Sequence, residues 1–124
     1  MSPPGGWRGA LGARAENIVV QYLEGAGFAI VARNLRLGLL EIDIVARHAG
    51  LIAVVEVRTR GASSWTSGFG SLTPAKCARI RRAGLRLWRE RYQNDPSVDQ
   101  LRFDAACVHF DGAQPRVEYA AAAF

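Results

Sequence analysis

Four charged residues on two neighbouring apolar stretches could do chemistry together: Glu41 and Asp43 within residues 39–47, and Glu56 and Arg58 within residues 51–60. Both stretches alternate Val or Ile with polar residues, as half-buried strands do, and His48-Ala49-Gly50 separates them. With Ala49-Gly50 as a two-residue turn, position 48 faces 51, which sets Asp43 across from Glu56 and Glu41 across from Arg58. The other face then takes Ile42, Ile44 and Ala46 with Ala53, Val55 and Val57. A slip of one residue would bury the charges, so this register is strongly specified.

Two carboxylates held in this way repel by roughly 4 kcal/mol at about 4 Å and an effective dielectric near 20, and a divalent cation offsets that best. Asp43 and Glu56 with waters and a substrate phosphate would make a site for Mg²⁺ (or Mn²⁺), where the metal activates water and neutralises charge on the phosphate. The plainer alternative is a solvated hairpin face with Arg58 and Arg60 as counter-ions.

The elements around the hairpin are legible in outline. Residues 1–9, with Pro-Pro-Gly-Gly, read as a disordered lead-in, and residues 10–26 as a helix with apolar positions 15, 18, 19, 22 and 26. Residues 28–37 read as a first strand before the hairpin. Residues 61–72 are small, polar and glycine-rich, suiting a mobile surface loop, whose Trp65 and Phe69 would either stack on bases or pack on the body. Thr73-Pro74 reads as an N-cap and first helical residue of a helix running to about Tyr92, stopped by Asn94-Asp95-Pro96. Strands at 101–110 and 116–119, joined by Asp111-Gly112, precede an Ala-rich tail. The sum is one α/β domain over residues 10–120, with a central mixed sheet of about five strands flanked by helices and no internal repeat.

Sixteen basic residues, fifteen of them Arg, oppose eleven acids, a net charge of +5 that favours a polyanionic partner such as nucleic acid, although Arg bias alone would also give it. Lys76, Arg79, Arg82, Arg86 and Arg89 recur at spacings of three and four, forming a basic stripe able to track a phosphate backbone, with Cys77, Ile80, Gly84, Leu87 and Trp88 on another face. Lys76, the sole lysine, sits in the first turn of its helix, where the dipole disfavours a cation. A substrate phosphate would explain it; a solvated surface lysine is the alternative. Cys77 and Cys107 lack metal-ligand spacing and read as buried free thiols of a cytoplasmic protein. No apolar run is long enough to span a bilayer and no signal sequence is evident, so neither membrane nor secretion is expected. His48 and His109 lack nucleophile partners, and the glycines match neither a P-loop nor a dinucleotide fingerprint.

Glu16 in the first helix, Leu40-Glu41-Ile42-Asp43-Ile44-Val45 on one strand and Val55-Glu56-Val57-Arg58-Thr59-Arg60 on the next resemble the PD-(D/E)XK nuclease pattern and, within it, the small bacterial YraN-type family. The similarity runs from Gly12 to about Phe110 and takes in Arg33-Asn34, Phe69-Gly70 and Thr73 to Lys76. It implies a restriction-endonuclease-like fold and a metal-dependent endonuclease that hydrolyses DNA phosphodiester bonds, including those of branched or otherwise irregular DNA. By that resemblance Asp43 and Glu56 are metal ligands, Glu16 is a further acid approaching from the helix, and Glu41 is a supporting acid that pairs with Arg58. Homodimerisation is open, since many nucleases of this class cut two strands as dimers.

The sequence departs from the pattern at Arg58, where a lysine should orient the attacking water. Arg keeps the charge but is a flat fork that does not readily lose its proton. Lys76 is the one candidate to compensate, which makes the expected catalytic set Glu16, Asp43, Glu56, Arg58 and Lys76. The alternative is a DNA-binding module of the same fold with weak or no catalysis.

Overall fold

The computed structural model describes residues 6–60, 69, 70 and 72–124. Helix α1 (Gly6–Gly25) is followed by β1 (Ala29–Leu37), β2 (Leu40–His48), β3 (Leu51–Arg60), α2 (Pro74–Leu87), β4 (Gln100–His109) and β5 (Arg116–Ala120). The helix α1 begins inside the stretch read as a disordered lead-in, of which residues 1–5 lie outside the described residues. Trp65 and the rest of 61–68, with Ser71, also lie outside them, and with them most of the expected mobile loop.

The five strands form one mixed sheet in the order β1-β2-β3-β4-β5. All neighbours are antiparallel except β3 and β4, which are parallel and joined by the crossover through α2. The helices flank the two faces, an architecture compatible with a restriction-endonuclease-like fold. On one face Ala15, Val19 and Leu23 of α1 pack on Ile44, Ala46, Ala53, Val55, Ala106 and Val108. On the other, Ile80, Ala83 and Leu87 of α2 pack on Val45, Ile52, Val54 and Phe103. The central strands therefore read as unbroken apolar runs because both their faces are covered.

Local chemistry explains the element ends. The Thr73 hydroxyl accepts from the Lys76 backbone N–H at 3.2 Å, with Pro74 leading the helix as expected. The helix passes into a π-helical turn at Trp88–Tyr92, where Gln93 N–H reaches back to Trp88 O at 2.8 Å. Gly84 lets α2 sit close to the sheet: a Cβ there would lie 2.3 Å from Cε1 of Phe103. On α1 the buried stripe is 15, 19 and 23; Tyr22 is instead half exposed and stacks on Tyr119, with ring centroids 5.3 Å apart, and Ala26 is exposed. Cys107 is buried and Cys77 only half-buried; both are free thiols.

A buried carboxylate ties down the C-terminal end. Asp104, fully buried, accepts from Arg102 at 2.8 and 2.9 Å, from the Tyr119 hydroxyl at 2.5 Å and from Ala122 N–H at 2.9 Å. All of its acceptor capacity is used structurally. No helix of the described residues is long and apolar enough to cross a membrane.

Candidate functional site

The hairpin register follows the sequence reading from His48↔Leu51 to Ile44↔Val55 and stops there. Beyond that point β2 continues to pair with β1 as far as Leu40, and β3 with β4 as far as Arg60. The sheet thus divides between β2 and β3, leaving β3 backbone groups without ladder partners on that side. Asp43 fills one of these gaps: its Oδ2 accepts the Val57 N–H at 2.9 Å. A buried N–H without an acceptor would be costly, so this bond fixes the carboxylate at the mouth of the division.

The clean alternation expected of β2 is not found, and the reason lies on β1. Asn34 has a left-handed backbone, φ 51°, which Asn tolerates better than most residues. Before this position Arg33↔Ile44 lies on the α1 side, where Arg33 reaches Asn17 and Glu16 of α1 and Ile44 joins the α1 core. After it, Leu35↔Ile42 and Leu37↔Leu40 pack with the α2 core. Residues 42 and 44 therefore point to opposite faces, and Asp43 sits at the change of phase.

One cleft of about 720 Å³ collects Glu16, Glu41, Asp43, Glu56, Arg58, Arg60, Lys76 and Arg79. All five residues expected to be catalytic are half-buried around it, Asp43, Glu56 and Arg58 on strands, Lys76 in the α2 first turn and Glu16 on α1. Glu16 is held by Asn34 Nδ2 at 3.1 Å and Arg33 at 3.4 Å, which gives Arg33-Asn34 a positioning role. The ion pair found for Arg58 is with Glu56 on its own strand, Nη1 to Oε2 3.1 Å, rather than across the hairpin with Glu41. Division of the sheet removes the cross-strand geometry on which the Glu41 pairing depended.

Burial pushes the Asp43 carboxyl up to about 8, and the negative charge of Glu56 adds to it; the Val57 N–H pulls the other way. Asp43 thus holds its proton at neutral pH next to Glu56, with which it shares a hydrogen bond. A buried carboxyl beside a second carboxylate is a pair whose charge a cation would stabilise. Among the described residues no three His, Cys, Asp or Glu side chains converge as an all-protein metal cage, so Glu16 lines the cleft without completing one. Mg²⁺ does not require a cage: one or two carboxylates with waters and substrate oxygens suffice. The Asp43–Glu56 pair fits that donor set.

Lys76 and Arg79 bring the basic stripe into the cleft, while Arg82, Arg86 and Arg89 are exposed further along the helix. Arg86 is committed elsewhere, to Leu37 O at 3.2 Å and Glu90 at 2.8 Å. Among the described residues nothing pairs with the Lys76 ammonium. Leu39, fully exposed at the β1–β2 turn, and Leu11 form an apolar part of the rim. Neither is visible from sequence, since an exposed leucine looks like a core leucine until the chain is folded.

The profile of Uncharacterised protein family UPF0102 matches residues 15–108. The chain belongs to the UPF0102 family. A UPF0102 protein of Sorangium cellulosum (strain So ce56) is 50% identical over 124 residues, covering 99% of this chain and 86% of that protein. UPF0102 proteins of Parafrankia sp. (strain EAN1pec) and Oleidesulfovibrio alaskensis are 36% and 40% identical, over 92% and 88% of this chain and 95% and 52% of their own lengths. The UPF0102 match covers the cleft residues from Glu16 on α1 to Ile80 on α2, while Leu11 and Gly12 precede it.

Proposed function

We propose that this UPF0102 protein is a metal-dependent endonuclease of the PD-(D/E)XK type acting on DNA phosphodiester bonds, with branched or otherwise irregular DNA as its substrate. The observation that carries the reading is the meeting of Asp43 and Glu56 with Lys76 and Arg79 in one cleft, acids on the strands and cations on the helix. Asp43 and Glu56 would hold Mg²⁺ or Mn²⁺, which when bound supplies an activated water and neutralises charge on the scissile phosphate. Lys76 and Arg79 would bind non-bridging phosphate oxygens and set the register of the strand. Arg82 and Arg89 would extend that contact along the backbone, and each phosphate neutralised should lower the salt exponent by about 0.9 on duplex DNA.

A second reading, a DNA-binding module with weak or no cleavage, is favoured by the Arg58–Glu56 ion pair, which commits a ligand carboxylate to a guanidinium. Plasmid and four-way-junction DNA incubated with Mg²⁺ or Mn²⁺ separate the two. Nuclease function requires cleavage by wild type and its loss in Asp43→Asn; a binding module retains salt-sensitive, metal-independent binding without cleavage. Cleavage gained on Arg58→Lys would mean that the rest of the site is competent. Lys76→Ala should weaken binding at low salt, and unchanged binding would remove Lys76 from the interface.

A further inference from the structure

The Glu56 carboxylate has a cation beside it on its own strand. Arg58 lies two residues along β3, so both side chains leave the same face of the strand. Their contact is 3.1 Å, and the side chains are 18% and 16% exposed. A guanidinium in a half-dry cleft binds a carboxylate more strongly than it would in open water, and it cannot be neutralised by losing a proton. Glu56 is thus provided with a permanent positive partner from its own strand. Among the described residues no cation pairs with Asp43, whose Oδ2 accepts from the uncharged Val57 N–H.

We infer that Arg58 is a resident cation that competes with divalent metal for Glu56, so that metal can occupy the Asp43–Glu56 pair only when the guanidinium swings away. The inference rests on the proposed reading of that pair as a cation site. Three consequences follow from the charges alone. Removing the guanidinium should raise metal affinity, because a metal then meets an unpaired carboxylate and no neighbouring positive charge. A shorter, more strongly hydrated ammonium should compete less well. A phosphate entering the cleft offers Arg58 another anion, which makes the guanidinium a positioning residue that passes from Glu56 to substrate as metal enters.

The test is Mn²⁺ binding to the full chain without DNA, followed by loss of the free-ion electron paramagnetic resonance signal, in wild type, Arg58→Gln, Arg58→Lys and the double variant Arg58→Gln/Asp43→Asn. The expected order of affinity is Gln above Lys above wild type, with about a tenfold or larger gain for Gln from removal of one nearby charge, and with that gain abolished in the double variant. Arg58→Lys serves as the check if the Gln protein does not fold, as it keeps a positive charge in the cleft. Equal or weaker binding by the Arg58 variants, with wild type binding Mn²⁺, would overturn the competition and leave the cation site standing. Absence of binding in all four proteins at millimolar Mn²⁺ would overturn the site itself and this inference with it.

Discussion

Asp43→Asn should make the metal-free protein more stable, and the size of the gain should depend on pH in a defined way. In the fold the Asp43 carboxyl is held up to about 8 by burial and by Glu56, against an ordinary value of 3.8. Below pH 3.8 the group is protonated in both folded and unfolded chains and has no effect. As pH rises from 3.8 towards 8 the unfolded chain ionises while the folded one does not, so stability is progressively lost across that window and the loss levels off above it. Each pH unit in that window costs one factor of ten in the folding equilibrium, so the penalty at pH 7 is on the order of 4 kcal/mol and at pH 5 less than half of that. Asparagine avoids it, since its carbonyl can still accept from Val57 N–H and its amide can donate to Glu56 as the protonated acid does. Urea unfolding in EDTA at pH 5, 7 and 8.5 measures the difference between variant and wild type. The gap should widen from pH 5 to 8.5; a gap independent of pH, or an Asn protein less stable at pH 8.5, would refute a carboxyl raised by burial beside Glu56. Adding Mg²⁺ should stabilise wild type and not the variant, closing the gap by mass action.

Two further predictions test packing around the cleft. Gly84→Ala should cost about 2 kcal/mol, because steric overlap with Phe103 outweighs the roughly 1 kcal/mol helix preference of Ala, whereas Gly9→Ala, with nothing within 4 Å of the added carbon, should be neutral or stabilising; thermal unfolding compares them. Arg86→Ala should lose about 1 to 2 kcal/mol through its bond to the Leu37 carbonyl, while Arg82→Ala on the same stripe should stay within about 0.5 kcal/mol, as read by denaturant midpoints.

The parts of the fold set by short-range rules were legible. Turn chemistry at Ala49-Gly50 and the period of two gave the register of the hairpin from 44/55 to 48/51, and Thr73-Pro74 gave the start of α2. What the sequence concealed depends on a neighbouring strand. Ile42 was expected beside Ile44, and it faces the other layer because Asn34, on the neighbouring β1, turns left-handed. Arg58 was expected to face Glu41, and it lies with Glu56 because β2 and β3 have already parted. The expected residues nevertheless line one cleft, because a charged residue on a buried hairpin has few places to go other than the opening where the strands separate.

That opening also decides how the site must be probed. Asp43 does two things with one carboxylate: Oδ2 replaces the lost ladder partner of Val57, and the pair with Glu56 is what a cation would bind. Truncation to Ala removes both. The Val57 N–H is then left without an acceptor in a half-buried place, which costs about 1 to 3 kcal/mol and loosens β3 next to Glu56 and Arg58, so loss of cleavage in Asp43→Ala would not separate chemistry from architecture. Asn keeps the acceptor for Val57 and removes only the charge. If Asp43→Asn retains wild-type folding and salt-sensitive DNA binding but loses Mn²⁺ binding and cleavage together, the carboxylate acts through a cation; if it retains all four, Asp43 is the plug of a divided sheet and holds no cation.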